Sequence, residues 1–312
     1  MLSPEDYRDH LTRTSARAGF SFDELVLPAD CTAKIRGMSF HYLDWGGPSK
    51  NNGGERSIVF LHGAALNAHT WDLCSLALRP HYHCYALDQR GHGDTDWSPD
   101  VDYSIASQRD DAIAFVEHLG LKKFILVGMS MGAMNALAYA GARPETLDAL
   151  VLIDSTPDMR RNQGGAQRIR DFVDHAAEFP SLEAVIEHAL NFNPRRDPVL
   201  LRRSLLHNMR QNEAGNWIWK YDRRRFQGMS DPARLQERLS LWDGVPRVTC
   251  PTLVVKGAES DLFSAEDAEK LTRSFATADQ VTIARAGHTV QGDNPKDLVS
   301  ALEGFFAKHG LR

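Results

Sequence analysis

A serine between two glycines is the part of this chain whose residue types and spacing most clearly predict chemistry. Residues 128–132 read Gly-Met-Ser-Met-Gly, directly after the apolar run 124–127 and directly before a helical pattern of small residues. Strand, tight turn and helix in this order are typical of a nucleophile elbow, which lifts a serine hydroxyl to where a base can reach it. The glycines fit because a Cβ at either position would collide with neighbouring backbone. We therefore predict that Ser130 is an activated nucleophile.

A nucleophilic serine also needs backbone donors for the oxygen that becomes negative in a tetrahedral intermediate. Residues 57–61 predict a buried strand, and this strand ends in His62-Gly63. In such an arrangement the backbone N–H groups of Ala64 and Met131 face that oxygen. The alternative is that His62-Gly63 forms only a turn.

In chains with such an elbow the acid and then the histidine follow the nucleophile in sequence, so both are expected after Ser130. His288 follows a glycine on the loop after the last predicted strand, and we predict that it is the general base. Asp261 lies on the loop after the preceding strand, and we predict that it orients His288. Glu259 on the same loop, and Asp154 at the end of the apolar run 150–153, remain alternatives for the acid.

Candidate substrate-binding residues lie beside the elbow and in an aromatic run farther along the chain. His62 and Met129 are neighbours of the predicted catalytic groups, and methionine provides an adaptable apolar wall. Trp217 and Trp219 alternate with other residues and predict a short hairpin whose aromatic side lines the pocket. Core packing of the two tryptophans is an equal alternative, because spacing alone does not separate the two interpretations.

A polar, glycine-rich loop at residues 89–99 and the last residue of the predicted strand before it carry charged groups that suggest a catalytic role. Asp88, Arg90 and Asp94 are the residues concerned. We expect instead a hydrogen-bonded structural corner near the site, in which Arg90 pairs with carboxylates.

The composition is that of a globular protein. The 312 residues are 42 % hydrophobic and 25 % charged, with a formal net charge of −5. This acidic balance argues against nucleic-acid binding, which calls for a basic surface. The four cysteines are scattered without metal-ligand spacing, so we expect reduced, buried thiols. His62 and His92 lie on separate loops without ligand spacing, so neither predicts a metal site.

The N-terminal region has no apolar segment of the kind that signal peptides contain. No run of the sequence approaches the ~18 apolar residues that span a bilayer. We therefore expect a cytoplasmic protein that does not associate with membranes. Pro4 followed by acidic residues predicts a helix, and we expect a surface helix or frayed terminus. The alternative is an arm that packs on a neighbouring subunit, as in a homodimer, or on the inserted segment.

Strands and helices alternate along most of the chain, which predicts an α/β fold with a doubly wound, mostly parallel sheet. One predicted helix covers residues 104–119. Ligands of such sheets bind beyond the carboxyl ends of the strands, where Ser130, Asp261 and His288 all fall.

From Pro157 to Pro246 no strand-like run occurs, and prolines divide several amphipathic helices. We therefore predict a helical cap inserted into the α/β core. The predicted units are an N-terminal arm at 1–30, a core at 31–156 and 247–312, and the cap at 157–246.

The predicted cap differs in charge from the rest of the chain. It has 15 Lys and Arg against 12 Asp and Glu, a net charge of +3, and the remainder has −8. One interpretation is that one or two of its arginines bind a substrate carboxylate in a bidentate fork. The alternative, which we favour for any single arginine, is a solvated helix face paired with acidic neighbours. The clustered basic residues are Arg160, Arg161, Arg168, Arg170, Arg195, Arg196, Arg202, Arg203, Arg210, Lys220, Arg223, Arg224 and Arg225.

These motifs together resemble the successive signatures of the α/β-hydrolase superfamily. The motifs are His62-Gly63, residues 88–96, 128–132 and 257–261, and Gly287-His288. Within the superfamily the chain is similar to the esterase, lactonase and enol-lactonase branch with a helical cap, and the similarity covers roughly residues 34–308.

The resemblance implies a serine hydrolase that cleaves a small-molecule carboxylic ester or lactone through Ser130 without a metal or organic cofactor. Amide hydrolysis or carbon–carbon bond hydrolysis on the same triad is an alternative. Residues 64–66 and 289–291 differ from the pattern of the carbon–carbon hydrolases. An alternative from another class is a non-catalytic ligand-binding protein of the same fold, although such a protein has no need of an activated serine.

Overall fold

The structure is a computed structural model that describes residues 3–48, 56–158, 178–192, 194, 196–226 and 231–312. Part of the predicted basic cluster lies outside the described residues. These residues are Arg160, Arg161, Arg168, Arg170 and Arg195.

The strands of the described chain are short. They are β1 (Ala29–Ile35), β2 (Met38–Asp44), β3 (Ser57–Leu61), β4 (His83–Leu87), β5 (Phe124–Met129), β6 (Leu147–Ile153), β7 (Glu178–Phe179), β8 (Met209–Gln211), β9 (Trp217–Trp219), β10 (Thr252–Gly257) and β11 (Ala278–Ile283). Eight of them form one sheet in the order β1-β2-β4-β3-β5-β6-β10-β11. From β4 to β11 every neighbouring pair is parallel, and β2 is antiparallel to both of its neighbours. The predicted mostly parallel sheet is confirmed.

Helices follow most strands of this sheet. They are α1 (Pro4–Arg17), α2 (Asp72–Leu78), α3 (Ile105–His118), α4 (Met131–Ala142), α5 (Leu182–Phe192), α6 (Pro198–Asn208), α7 (Pro232–Leu239), α8 (Ala265–Arg273), α9 (Val290–Asp293) and α10 (Pro295–Lys308). Short 3₁₀ turns occupy Ala68–Trp71, Pro144–Thr146, Arg223–Phe226 and Ser240–Arg247. The predicted helix at 104–119 is confirmed, and the Ser104 hydroxyl caps it by accepting the Ser107 N–H.

Helices cover both faces of the sheet. Successive side chains of a strand point to opposite faces, so each strand contributes to the core on both sides. In β5, Ile125 and Val127 pack in the cluster that contains α1, α2 and α10. Phe124 and Leu126 pack in the cluster that contains α3, α4 and α8. Burial of each such side chain contributes about 1.5–3 kcal/mol relative to exposure. The sheet is therefore fixed from both sides, and its carboxyl edge is a rigid base for a site.

The segment between β6 and β10 contains a small sheet of its own, contrary to the expectation of helices alone. Its strand order is β7-β9-β8, and both pairs are antiparallel. Strands of two or three residues are too short for a period-two pattern to be visible in sequence. The predicted hairpin at Trp217–Trp219 is confirmed as the β8–β9 pair. We call residues 178–246, as far as they are described, the insertion.

The N-terminal helix α1 is not a plain surface helix, so the favoured expectation for this region is wrong. Tyr7 and Leu11 are buried in the main core. The Tyr7 hydroxyl donates to Asp72 Oδ2 at 2.9 Å, and its ring lies 5.1 Å from that of His207 in the insertion. Arg17 pairs with Asp197 at 2.5 Å. Helix α1 therefore packs on the core and on the insertion of the same chain.

The four cysteines carry free thiols, as predicted. Cys74, Cys84 and Cys250 are buried, and Cys31 is partly buried. Within the described residues, no helix is both long enough and apolar enough to cross a membrane.

The loop after β4 is the hydrogen-bonded corner that the sequence predicts. Arg90 forms two bonds to Asp111, with distances of 2.5 and 2.8 Å, and donates to the Asp102 carbonyl at 2.8 Å. These bonds fix the loop to α3. Arg90 is thereby engaged in structure and not in catalysis.

Asp88 is the centre of a second buried network at the end of β4. Its carboxylate accepts the Ala68 N–H at 2.6 Å and the Asp94 N–H at 2.9 Å. It also pairs with His41 Nδ1 at 2.8 Å, while His41 Nε2 pairs with Asp30 at 3.0 Å. Asp88 thus ties β2 to the turn that follows the predicted oxyanion loop.

Burial and pairing act in opposite directions on the pKa values of this pair. Burial opposes the charge of His41, but the hydrogen bonds to Asp30 and Asp88 outweigh it and raise its pKa to about 10. Burial likewise opposes the charge of Asp88, and the hydrogen bond from His41 outweighs it and lowers its pKa to about 2. Both groups are therefore charged at neutral pH.

These shifts predict how stability depends on pH. A histidine has a pKa of about 6.5 in an unfolded chain. The contribution of charged His41 to the free energy of unfolding is therefore complete below that pH and is lost as the pH rises through about 10. The Asp88 contribution is present above pH ~4 and is lost as the pH falls through about 2. In urea titrations from pH 7 to 10, we expect the free energy of unfolding to fall more steeply for the wild type than for His41→Gln.

At pH 7 the same variant should be less stable by about 3 kcal/mol, because Asp88 is left buried without its partner. His81→Gln is the matched control, since His81 is exposed, and its titration should follow the wild type. Parallel curves for the wild type and His41→Gln would contradict the assignment.

Candidate active site

Ser130 occupies a sharp turn between β5 and α4. Its backbone has φ of 53° and ψ of −113°, a conformation that costs a residue with a side chain about 1–3 kcal/mol. Its N–H donates to the Ile153 carbonyl at 2.9 Å, which fixes the turn to β6. A Cβ added to Gly128 would overlap the Gly132 carbonyl, and one added to Gly132 would overlap the Leu61 carbonyl. The elbow geometry and the predicted reason for its glycines are both present.

A continuous line of hydrogen bonds runs from Ser130 through His288 to a buried carboxylate. Ser130 Oγ lies 2.9 Å from His288 Nε2, and His288 Nδ1 lies 2.7 Å from Asp154 Oδ2. A carboxylate only accepts, so Nδ1 must carry the hydrogen. His288 Nε2 is then the acceptor for the serine hydroxyl, which is the geometry of a general base.

The carboxylate beside His288 is therefore Asp154, and the prediction of Asp261 is wrong. The reason is the strand order, because β6 lies between β5 and β10 in the sheet. Met129 of β5 and Ile153 of β6 are in register, so the residues that follow them, Ser130 and Asp154, end neighbouring strands at the same level. Asp261 lies beyond the end of β10 and is exposed.

Asp154 is fully buried and its oxygens have several donors. The Gly257 N–H donates to Oδ1 at 2.8 Å, and the Ser260 hydroxyl donates to Oδ2 at 2.5 Å. The Asp154 N–H in turn donates to the Val255 carbonyl at 2.8 Å. These bonds fix the direction of the carboxylate. Sequence reasoning missed Ser260, because a single serine on a loop gives no sign of its partner.

The loop after β3 lies against the elbow, as the sequence predicts. A Cβ added to Gly63 would lie 2.5 Å from the Met129 sulfur and 3.3 Å from the Cβ of Ser130, so the loop packs closely on the elbow. Outside the helices and strands of the described chain, no backbone hydrogen bond has the Ala64 or Met131 N–H as its donor. Both predicted oxyanion donors are therefore uncommitted to other backbone carbonyls.

His62 lies beneath this loop and does not line a substrate pocket, contrary to its prediction as a substrate-binding residue. It has no exposed surface. Its Nε2 accepts the Gln89 N–H at 3.0 Å, so its Nδ1 carries the hydrogen and donates to the Gly63 carbonyl at 2.8 Å. Burial lowers the pKa of His62 to about 4, so the ring is neutral. His62 thus holds the peptide that contains the Ala64 N–H.

The other predicted substrate-binding residues also pack in or against hydrophobic clusters. Met129 is 1 % exposed and belongs to the main core. Trp219 is buried in the hydrophobic cluster of the insertion, and Trp217 packs against that cluster from its edge. The structure therefore favours the core-packing alternative for both tryptophans, a distinction that spacing alone does not make.

Two groups of described residues bring metal-ligand atoms within 4.8 Å of one another. One is His69, Asp72 and His207, where Arg203 already pairs with Asp72 at 2.5 Å. The other contains Asp88, which already pairs with His41. A cation next to either carboxylate would meet another positive charge, so the donor sets fit a metal poorly.

Comparisons with known proteins show which family the chain resembles as a whole. The family model described as the alpha/beta hydrolase family matches residues 58–302. The esterase Rv0045c of Mycobacterium tuberculosis is 31 % identical over 276 residues, which cover 87 % of both chains. A solved structure of that esterase aligns with a TM-score of 0.78 at 30 % identity and covers 98 % of this chain and 100 % of the other.

Two more distant relatives are also named as hydrolytic enzymes. The sn-1-specific diacylglycerol lipase ABHD11 of Mus musculus is 27 % identical over 260 residues, 80 % of this chain and 81 % of its own. A structure of E-2-(acetamidomethylene)succinate hydrolase, 23 % identical, shares the fold with a TM-score of 0.76 over 90 % of this chain and 99 % of its own. The family model and the mycobacterial esterase each span most of this chain, which therefore belongs to the alpha/beta hydrolase family.

Proposed function

We propose that this protein hydrolyses a carboxylic ester or lactone of a small molecule by acyl transfer through Ser130. The observation that carries the proposal is the unbroken hydrogen-bond line from Ser130 Oγ to His288 and Asp154. Relatives named as esterases and a lipase support ester hydrolysis in general. In the proposal His288 is the general base and acid, and Asp154 orients it.

In the first half of the proposed reaction, His288 Nε2 takes the Ser130 proton as Oγ forms a bond to the carbonyl carbon of the ester. Asp154 stabilises the imidazolium that results. When the tetrahedral intermediate collapses, the bond to the leaving oxygen breaks and His288 returns its proton to that oxygen. In the second half water replaces the alcohol, and the same proton transfers release the acid and Ser130.

The oxygen that becomes negative would accept hydrogen bonds from the Ala64 and Met131 N–H groups. Loss of one donor of this kind typically costs about 10²- to 10³-fold in rate. The contact of Gly63 with Ser130, and the bond from His62 to the Gly63 carbonyl, support this assignment because they fix the loop beside the nucleophile.

We also propose that the insertion is a cap that governs access to Ser130. Its hydrogen bonds to the loops around the site support this role. The Asp222 N–H donates to the Gly91 carbonyl at 2.8 Å, and Trp97 Nε1 donates to the Lys220 carbonyl at 3.1 Å.

The nucleophile is tested by intact-mass detection of a fluorophosphonate adduct. We expect one adduct on the wild type and none on Ser130→Ala, because only an activated serine reacts. Ser274→Ala is the matched control, since Ser274 is exposed, and it should keep the adduct. With p-nitrophenyl butyrate, kcat of Ser130→Ala should fall by about 10⁶-fold. An adduct that persists in Ser130→Ala would refute the assignment.

A panel of p-nitrophenyl esters, lactones and p-nitroanilides then separates ester, lactone and amide hydrolysis. The absence of any adduct on a well-folded wild type would favour the non-catalytic ligand-binding alternative.

The acid is tested by two matched substitutions. We expect Asp154→Asn to lower kcat by about 10⁴-fold, because the amide can no longer hold the required tautomer of His288. Asp261→Asn should lower kcat by less than about tenfold, since it does not change a partner of His288. Steady-state rates on one ester, with circular dichroism to confirm folding, make the comparison. A severe Asp261→Asn with a mild Asp154→Asn would reverse the assignment.

A further inference from the structure

Arg225 is a charged residue of the insertion that lies beside the candidate active site. It belongs to the 3₁₀ turn Arg223–Phe226. Its Nη2 donates to the sulfur of Met131 at 2.7 Å, and Met131 is the residue that follows Ser130. Its Nη1 lies 2.5 Å from Nε2 of the buried His92. The guanidinium therefore contacts the side chain of the first residue of α4, which directly follows Ser130 in the chain.

Neither of these two acceptors neutralises the charge of Arg225. His92 Nδ1 lies 3.0 Å from the Arg90 carbonyl, to which it donates, so Nε2 is the acceptor for Arg225. Burial and then the charge of Arg225 hold the pKa of His92 well below its ordinary value, so His92 is neutral. A thioether sulfur is a weak, uncharged acceptor. A guanidinium has five N–H donors, and these two contacts use only part of them.

Arg225 differs in this respect from other arginines around the site. Arg90 pairs with Asp111, Arg203 with Asp72, and Arg224 with Asp222. Among the described residues, no carboxylate forms an ion pair with Arg225.

Asp222 is the carboxylate that acts on Arg225 electrostatically, but it is already hydrogen-bonded to other side chains. Asp222 raises the pKa of Arg225 only as a minor influence beside burial. Its carboxylate accepts from Arg224 and from the Tyr103 hydroxyl. A second arginine, Arg234, donates to the Arg225 carbonyl at 2.8 Å and adds positive charge to the same place.

Arg225 is partly buried, and a cation withdrawn from water without a counter-ion is unfavourable, because the protein interior screens charge poorly. Burial lowers the pKa of Arg225 to about 10, which still leaves it protonated at neutral pH. An arriving anion would gain charge-assisted hydrogen bonds and would meet no resident carboxylate that it must displace. The planar fork of a guanidinium matches a carboxylate in two parallel bonds.

We propose that Arg225 binds a carboxylate of the substrate, so that the preferred substrate is an ester or lactone with a second, anionic carboxylate group. This inference rests on the proposed hydrolytic function of Ser130. It selects Arg225 from the cluster of basic residues in the insertion on two observations, the contact with Met131 and the lack of an acidic partner.

A competing role for Arg225 is electrostatic support of the negative oxygen held by the Met131 N–H. That role would act on every ester alike, whereas carboxylate binding would act only on anionic ones. The two roles therefore differ in how the effect depends on substrate charge.

The test compares monoethyl esters of succinate, glutarate and adipate with uncharged ethyl alkanoates of the same acyl chain length, by pH-stat at pH 7.5. We expect the wild type to prefer at least one half-ester. In Arg225→Gln the ratio of kcat/KM for the half-ester to that for its neutral partner should fall by about 10- to 100-fold, mainly through KM. Arg225→Lys should retain part of the preference, because it keeps the charge but not the fork.

Arg202→Gln is the matched control, because it removes a cap cation that pairs with Glu183 on the surface. Its ratio should equal that of the wild type. Circular dichroism and thermal midpoints confirm that each variant is folded. An unchanged ratio in Arg225→Gln, or an equal loss on charged and neutral esters, would overturn the proposal.

A binding measurement separates this inference from the proposed hydrolysis. Calorimetric titration of glutarate into Ser130→Ala should give a Kd that weakens about 10-fold or more when Arg225→Gln is added, and does not change when Arg202→Gln is added. If Ser130→Ala binds glutarate in this way but the wild type hydrolyses neither kind of ester, the anion site is supported and the proposed hydrolysis is refuted. Hydrolysis of neutral esters without any glutarate binding would retain the hydrolysis and overturn the anion site.

Discussion

The hydrogen bonds of Asp154 join three neighbouring strands at the carboxyl edge of the sheet. Its N–H donates to β10, its carboxylate accepts from the last residue of β10 and from the loop that follows, and the same carboxylate holds the histidine of the loop after β11. The residue that precedes Asp154 accepts the N–H of Ser130. Ser130 and His288 are thus positioned by Asp154 and the residue before it, and a change in the register of β6 would move all of these groups at once.

The loop that carries the proposed oxyanion donor Ala64 is held by a separate network. Asp88 binds the turn that follows the loop, and His41 keeps Asp88 ionised although it is buried. His62 holds the Gly63 carbonyl from below. The loop after β3 and the line from Ser130 to Asp154 therefore rest on different hydrogen bonds, and the close packing of Gly63 on Ser130 joins them.

The parts of the site that the sequence predicts are those that local pattern determines. The elbow needs only a strand, two glycines and a helix, and His288 needs only its place after the last strand. The identity of the acid depends on strand order, which places β6 between β5 and β10. No short stretch of sequence contains this order, so the sequence predicts Asp261 where the structure has Asp154. The tryptophans of the insertion show a similar limit, since an aromatic side chain has the same spacing whether it faces a pocket or a core.

Helix α1 has a consequence for how the protein is handled as well as for how it folds. Asp72 accepts from Tyr7 of α1 and from Arg203 of the insertion, and Arg17 reaches Asp197 at the start of α6. These contacts join helix α1, the core and the insertion to one another. A shortened expression clone that began near Phe20 would retain Ser130, His288 and Asp154, yet it would lack the contacts by which α1 joins the insertion to the core.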